Sequence, residues 1–392
     1  MTKFKTAESV CKGHPDKLCD LVSDSVLDAC LRADRSSRVA CECLATKGVL
    51  FVAGEITCSK KINIRNVARD ALREAGYDPY SFIILVKVHQ QSPDIAGGVD
   101  QAVESRNGDT SWYSLLGAGD QGTVYGYAVD ENCEKLPAPL VYAHAICKRL
   151  DSCMRDGRIR NIGPDGKAQV TVEYEDGVPK RVKSIVVSVQ HEADMDQTVL
   201  RSKIISEVLW PVFADFPFDD DTEILINPSG RFVEGGPAAD TGLTGRKIQV
   251  DSYGGLGPNG GGAFSGKDPT KVDRSGAYMA RAIAKNIVRA GLAYECKVAI
   301  SYAIGKADPV AVDIDTCGTG AVADDVLTRA VLKVFSLRPA AIIETLGLRS
   351  PQYAETSAYG HFTNSRFRWE RIGMTEELRE AVRNENRKEE DK

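Results

Sequence analysis

The residues best suited to chemistry sit in short motifs marked by glycine and proline. The first is GHPDK, Gly13 to Lys17. Pro15 suits the first position of a helix, which places His14 at the helix entrance and Asp16 in the first turn. An aspartate there either complements the helix dipole, worth about 0.3–1 kcal/mol, or acts as a hard oxygen ligand for magnesium that bridges phosphates. The pentapeptide alone leaves both open. In the second case His14 would donate a hydrogen bond to a developing phosphate anion. The second ingredient is a set of cations: Lys167, Arg246, Lys247, Lys267 and Lys271, each next to a glycine-, proline- or aspartate-rich turn. Taken singly, each reads as a solvated surface residue. Together with Asp16 and Asp273 they fit a triphosphate and its metals, because about four negative charges call for multidentate cations plus magnesium.

Two familiar phosphate motifs nearly match. Gly117, Gly119 and Gly122 satisfy G-x-G-x-x-G, but the following TVYGYAV alternates like a strand. A dinucleotide fingerprint needs a helix there, so that reading is rejected. Gly261, Gly266 and Lys267 match G-x-x-x-x-G-K, yet Asp268 replaces the required Ser or Thr and no buried strand precedes. What survives is local: small residues let backbone approach phosphate oxygens, and Lys267 adds a cation. No H-E-x-x-H and no G-x-S-x-G is present, which excludes a zincin site and a hydrolase elbow. Asp219 to Asp221 reads as a solvated acidic loop.

Three units of related pattern would position these motifs. Each pairs two alternating β-branched runs around a turn and follows them with an amphipathic helix: Arg38–Cys58 then Asn63–Gly76, Gln169–His191 then Gln197–Trp210, and Lys297–Thr316 then Asp324–Ser336. Helix candidates at Pro15–Ala33, Ala138–Arg155 and Asp273–Ala290 precede them. The fold class expected is α+β, in three pseudo-symmetric repeats, each a mixed or antiparallel sheet with helices on one face. The expected divisions are 1–101, a lid-loop part at 102–116, 117–232, 233–375 and a charged tail at 376–392. Ser92 to Gly122 lacks periodicity and reads as a long functional loop. The tail after Thr375 reads as a solvated helix.

Composition bounds the partners. The chain has 392 residues, 43% hydrophobic and 27% charged, with a net charge of −5. That argues against a nucleic-acid partner. No run approaches 18 apolar residues and the start lacks an apolar signal core, so no membrane partner is expected. Eleven scattered cysteines without C-x-x-C read as reduced thiols of a cytoplasmic protein. Cys41 and Cys43 read as core residues on one strand face.

The motifs GHPDK, AGEI, QSPDI, GAGDQG, GRFVEGGP, GLTGRK, GGGAFSGKDPTKVDRS and AYGHF, in this order over nearly the whole chain, resemble S-adenosylmethionine synthetase (methionine adenosyltransferase). The resemblance implies synthesis of S-adenosylmethionine from ATP and L-methionine, with two magnesium ions and one potassium ion per site. It implies a homodimer or dimer of dimers with active sites between subunits. By motif, His14 contacts the triphosphate leaving group, Asp16 and Asp273 serve magnesium, and Glu42 serves potassium. Glu55, Gln91, Asp120, Asp240 and Lys271 surround methionine. Asp165, Lys167, Arg231, Phe232, Asp240, Arg246, Lys247, Ala263 and Lys267 serve ATP, with His14, Lys167, Arg246, Lys267 and Lys271 carrying the catalysis. A thioether is already a competent nucleophile, so alignment and leaving-group stabilisation are the expected levers. The chain departs from the family pattern in a longer 92–117 loop with Ser111-Trp112-Tyr113, in Asn259 before the triple glycine, and in Ala238-Ala239 before Asp240. The competing readings are a phosphotransferase built around Lys267 and a non-catalytic nucleotide-binding subunit.

Overall fold

The computed structural model describes residues 2–91, 101–216, 218–371 and 373–390. Three hairpins seed three sheets: β2 (Arg38–Thr46) with β3 (Val49–Thr57), β6 (Ile162–Glu175) with β7 (Val178–His191), and β10 (Glu295–Tyr302) with β11 (Ala311–Asp315). The β6–β7 turn is Asp176-Gly177, both at positive φ, the backbone a two-residue hairpin of this hand requires. Alternation then sorts the faces. β2 buries Val39, Cys41, Cys43 and Ala45 and turns Glu42 outward, so the two cysteines are core residues as expected.

The longer helices are α1 (Pro15–Ala33), α2 (Ile64–Glu74), α3 (Ala138–Arg155), α4 (Gln197–Ile204), α5 (Val272–Arg289), α6 (Asp324–Val334) and α7 (Thr375–Glu390). Each hairpin lies between two of them, as the pattern implied. The α+β class with mixed and antiparallel sheets holds. The first and third units share one hydrophobic core, and the second has its own.

Each hairpin leaves two edges of unpaired N–H and C=O groups, and one edge of each is closed by a strand from another unit. The remaining strands are β1 (Thr2–Val10), β4 (Ile83–His89), β5 (Gly122–Val129), β8 (Glu223–Ile226) and β9 (Gly242–Leu243). The sheet orders are β4-β3-β2-β9, β1-β6-β7-β8 and β11-β10-β5. Thus β1, which opens the first unit, pairs antiparallel with β6 of the second. β5 opens the second unit and pairs with β10 of the third; β9 opens the third and pairs with β2 of the first. The exchange runs in a closed cycle. Each exchanged strand carries a motif at its end: GHPDK follows β1, GAGDQG precedes β5, and GLTGRK contains β9.

Two expectations are corrected. The stretch from Ser92 to Gly122 reads as an unpatterned loop. Residues 92–100 lie outside the described residues, but the part from 101 onward is held by contacts remote in sequence. It makes a helical turn at Val103–Arg106 and a tighter one at Trp112–Ser114. The Glu104 carboxylate accepts from the Ala307 and Asp308 N–H groups at 2.8 and 3.2 Å, and Arg338 pairs with Asp109 at 3.1 Å. The C-terminal helix is not simply solvated. Leu378 and Val382 of α7 are buried, and Arg329 and Lys333 of α6 pair with Glu385. A charge-rich composition hid one apolar pair at i,i+4 spacing.

Candidate active site

The exchanged β1 ends at Val10, whose partner on β6 is Lys167, so GHPDK emerges beside that lysine. His14 caps α1 and its Nδ1 accepts the Asp16 N–H at 3.2 Å. The ring hydrogen is thereby assigned to Nε2. His14 is only 2% exposed. Burial, and then the charges of Lys247 and Lys167, pull its imidazole down to about 3, so it is a neutral donor near pH 7. Asp16 accepts from the Leu243 N–H at 3.0 Å and pairs with Lys247 at 2.6 Å and Arg246 at 3.5 Å. Burial pushes this carboxyl up, but Lys247 and the Leu243 N–H outweigh it and hold it below the usual carboxylate range. GLTGRK can lie this close because position 242 is glycine: a Cβ there would sit 2.2 Å from the Pro15 carbonyl.

Asp165 is buried, accepts the Gly236 N–H at 2.8 Å, and senses Lys167 and Asp240. Phe232 is fixed at the end of β7, donating its N–H to His191 Nε2 at 3.0 Å and accepting the His191 N–H at 2.9 Å. Arg231, Asp240 and Arg246 are exposed. One group thus gathers His14, Asp16, Asp165, Lys167, Asp240, Arg246 and Lys247, with Arg231 and Phe232 on the chain leading into the Gly236 turn.

The other expected residues form a second group on the outer face of the first sheet. Registers place Ala40, Glu55 and His89 in one row and Glu42, Ala53 and Lys87 in the next. Glu55 and His89 approach to 3.3 Å. Lys267 bridges to Ala40, pairs with Asp273 at 2.6 Å, and acts electrostatically on Glu42. Lys271 caps α5 and pairs with the buried Asp268, which also accepts the Val39 N–H at 2.8 Å. A cavity of about 270 Å³ is lined by Ala40, Glu55, Gln91 and Lys271, among others. The GAGDQG turn packs on Thr270, where a Cβ at Gly119 would meet the carbonyl at 2.9 Å. Asp120 is exposed beside it. The two groups touch where Gly245 of GLTGRK meets Ala263.

Among the described residues no three His, Cys, Asp or Glu side chains gather as a metal cage. Asp16 and Asp273 each offer one carboxylate among cations. That donor set fits magnesium, which keeps waters and takes one or two carboxylates together with substrate phosphates.

Inspection of motifs alone misses a buried ionic layer beneath the loops. On α1, Lys17, Asp20, Asp24 and Asp28 form a stripe at most 4% exposed. On α5, Arg274, Tyr278, Arg281 and Lys285 form another. Arg274 grips Asp24 through two bonds of 2.7 and 2.8 Å. Arg281 and Lys285 share Glu370, and Lys17 pairs with Asp20 and Asp251. The signal was helical spacing of charges of complementary sign on two different helices, which residue by residue looks like solvated faces.

The molecule is a three-unit α+β protein whose cations and carboxylates converge at the ends of exchanged strands. Family models match it in three consecutive stretches: the S-adenosylmethionine synthetase N-terminal domain over residues 2–93, the central domain over 115–232 and the C-terminal domain over 234–371. Among its relatives, an S-adenosylmethionine synthase of Desulforudis audaxviator is 50% identical over 385 residues, 96% of this chain and 98% of that one. One of Thermus thermophilus is 51% identical over 96% of this chain and 98% of its own. One of Clostridium botulinum is 46% identical over 97% of this chain and 100% of its own. The chain belongs to the S-adenosylmethionine synthetase family.

Proposed function

We propose that this chain makes S-adenosylmethionine from ATP and L-methionine, the sulfur attacking the ribose 5′-carbon in line, and then hydrolyses the bound tripolyphosphate to pyrophosphate and phosphate. The observation that supports the proposal is the gathering of GHPDK, GLTGRK and Lys167 at exchanged strand ends around one neutral histidine. His14 donates from Nε2 to the departing triphosphate. It carries no charge of its own, so its hydrogen bond gains most as the leaving oxygen gains charge. Lys167, Arg246, Lys247 and Lys267 hold the phosphates. Asp165, Arg231, Phe232, Asp240 and Ala263 surround the rest of ATP. Glu55, Gln91, Asp120, Asp240 and Lys271 hold methionine. Asp16 and Asp273 would hold two magnesium ions and Glu42 a potassium ion. Magnesium, when bound, supplies charge neutralisation on the triphosphate. Lys247 pairs with Asp16 and Lys267 with Asp273, each at 2.6 Å, so the phosphate-holding cations stand beside the carboxylates proposed for magnesium.

The proposal includes active sites formed between two copies, in a dimer or a dimer of dimers. Beside the Glu42 and Glu55 rows the same outer sheet face carries Leu44, Phe51 and Leu85 in one row and Thr46, Val49 and Ile83 in the next. Phe51, Leu85 and Ile83 are 37, 47 and 66% exposed. An apolar patch next to the carboxylates suits a flat partner surface. Among the described residues no helix is long and apolar enough to cross a membrane. The cytoplasm is the proposed location, in keeping with eleven free thiols.

The test is incubation with ATP, methionine, magnesium and potassium. Sulfonium product with pyrophosphate and phosphate is expected. ADP would instead support a phosphotransferase, and ATP binding without turnover a non-catalytic subunit.

A further inference from the structure

We propose that Tyr77 is a positioning residue for His14, acting through the carbonyl of Gly13. The proposal rests on the adenosyl-transfer reading, in which His14 meets the leaving group. Tyr77 stands just past the end of α2. Gly76 takes φ +91° and the Tyr77 N–H returns to the Leu72 carbonyl at 2.9 Å, a helix stop that fixes the tyrosine's backbone. Lys12 pairs with Glu74 of the same helix end at 2.7 Å. The Tyr77 ring packs edge-on against Phe82, centroids 6.1 Å apart.

From this mount the hydroxyl donates to the Gly13 carbonyl at 2.5 Å. That carbonyl and the His14 N–H belong to one rigid peptide plane, so holding the oxygen sets the start of the His14 residue. The opposite side is closed by packing: a Cβ at Gly13 would meet Pro164 at 2.5 Å. The same hydroxyl lies against Gly236, where a Cβ would come within 2.1 Å of it, and the Gly236 N–H is the one donated to Asp165. On the other flank the Lys12 N–H is held by Asp151 at 2.9 Å. One phenol therefore links the loop carrying His14, the Pro164–Asp165 turn and the loop leading to Asp240. Burial, and next the charge of Asp165, raise the phenol above its ordinary value, so it stays a donor. A donor aimed at a leaving group needs such a support, because small misplacements cost rate steeply.

The experiment uses the full chain with Tyr77→Phe, which keeps the ring and removes only the hydroxyl. Sulfonium formation at saturating substrates should fall roughly three- to tenfold, while the KM for ATP stays within about twofold. In a His14→Asn background the same change should cost nothing further. Unchanged turnover in Tyr77→Phe, or an equal loss on top of His14→Asn, overturns the proposal. Amide hydrogen exchange of residues 11–16 gives a readout that needs no activity: faster exchange in Tyr77→Phe is expected, and an unchanged rate overturns the proposal. A wild-type chain that formed no sulfonium product would instead sink the adenosyl-transfer reading, with the exchange measurement still deciding whether Tyr77 fixes this segment.

Discussion

At the scale of single residues, His14 and Asp16 show how neighbours set chemical role. Both sit at one helix N-terminus, where a carboxylate is favoured and a cation is not. Lys247 reinforces that bias by pairing with Asp16 and repelling a proton from His14. His14→Asn is expected to lower turnover by about 10²–10³, the size seen for one lost oxyanion donor, with a much smaller change in ATP affinity. Steady-state kinetics with direct ATP binding measurements check this, and weakened binding with intact turnover would remove the role. Asp16→Asn should raise the magnesium concentration for half-maximal activity about ten- to hundredfold, as loss of one charged ligand contact implies. An unaltered magnesium titration would take Asp16 out of the metal site.

At the scale of elements, α1 and α5 are joined by charge where most helices are joined by grease. One member of each stripe, Asp24 and Arg274, meets in a fully buried bidentate pair. Removing one partner leaves the other charged and dry, so Asp24→Ala is expected to cost about 3–5 kcal/mol, readable by urea unfolding. Arg274 also contacts the Lys267 carbonyl at 3.2 Å, so the pair supports the loop before α5. α7 gives a second test. Leu378→Ala should cost about 2–5 kcal/mol if the helix is docked as seen; a change below about 0.5 kcal/mol is what a solvated tail would give.

At the scale of the whole molecule, strand exchange makes the three units one folding problem. No sheet is complete without a strand from another unit, so unfolding should be cooperative across them. Three buried histidines, His14, His144 and His361, tie that unfolding to pH. His144 hydrogen-bonds Ser9 at 2.8 Å and burial holds its imidazole down to about 3; burial likewise lowers His361. Above about pH 6.5 all three are neutral folded or unfolded and contribute no slope. As pH falls below that value the unfolded chain takes up protons that the folded chain refuses. Stability then drops by about 1.4 kcal/mol per pH unit for each histidine, down toward pH 3 for His144. Urea titrations from pH 7 to 4 should show this, and His144→Asn should flatten the slope by one histidine's share. Assembly is tested by Phe51→Asp. A charge in the apolar row should shift sedimentation to monomers and abolish turnover together, whereas a fully active monomer would refute active sites shared between copies.

The local physics was legible in the residues. Proline after His14 marked a helix start, paired alternating runs around a turn marked each hairpin, alternation marked Cys41 and Cys43 as core, and the gathered lysines and aspartates pointed to a polyphosphate. The sequence by itself therefore determined the three hairpins and the helices flanking them, the α+β class, the family and the stock of charges available to the site. Only the tertiary structure decided which elements pair. β9 is two residues long and carries no periodicity, and the exchange of β1, β5 and β9 depends on edges open elsewhere in the chain. The same holds for the charged stripes on α1 and α5, whose partners lie far off in the chain, Arg274 for Asp24, Asp251 for Lys17 and Glu370 for Arg281, and for Tyr77, an ordinary aromatic until α2 ends where its hydroxyl meets Gly13. Local propensity acts within a few residues. Partner choice among distant edges, charges and carbonyls is settled only when the whole chain closes on itself and each buried polar group must find a mate.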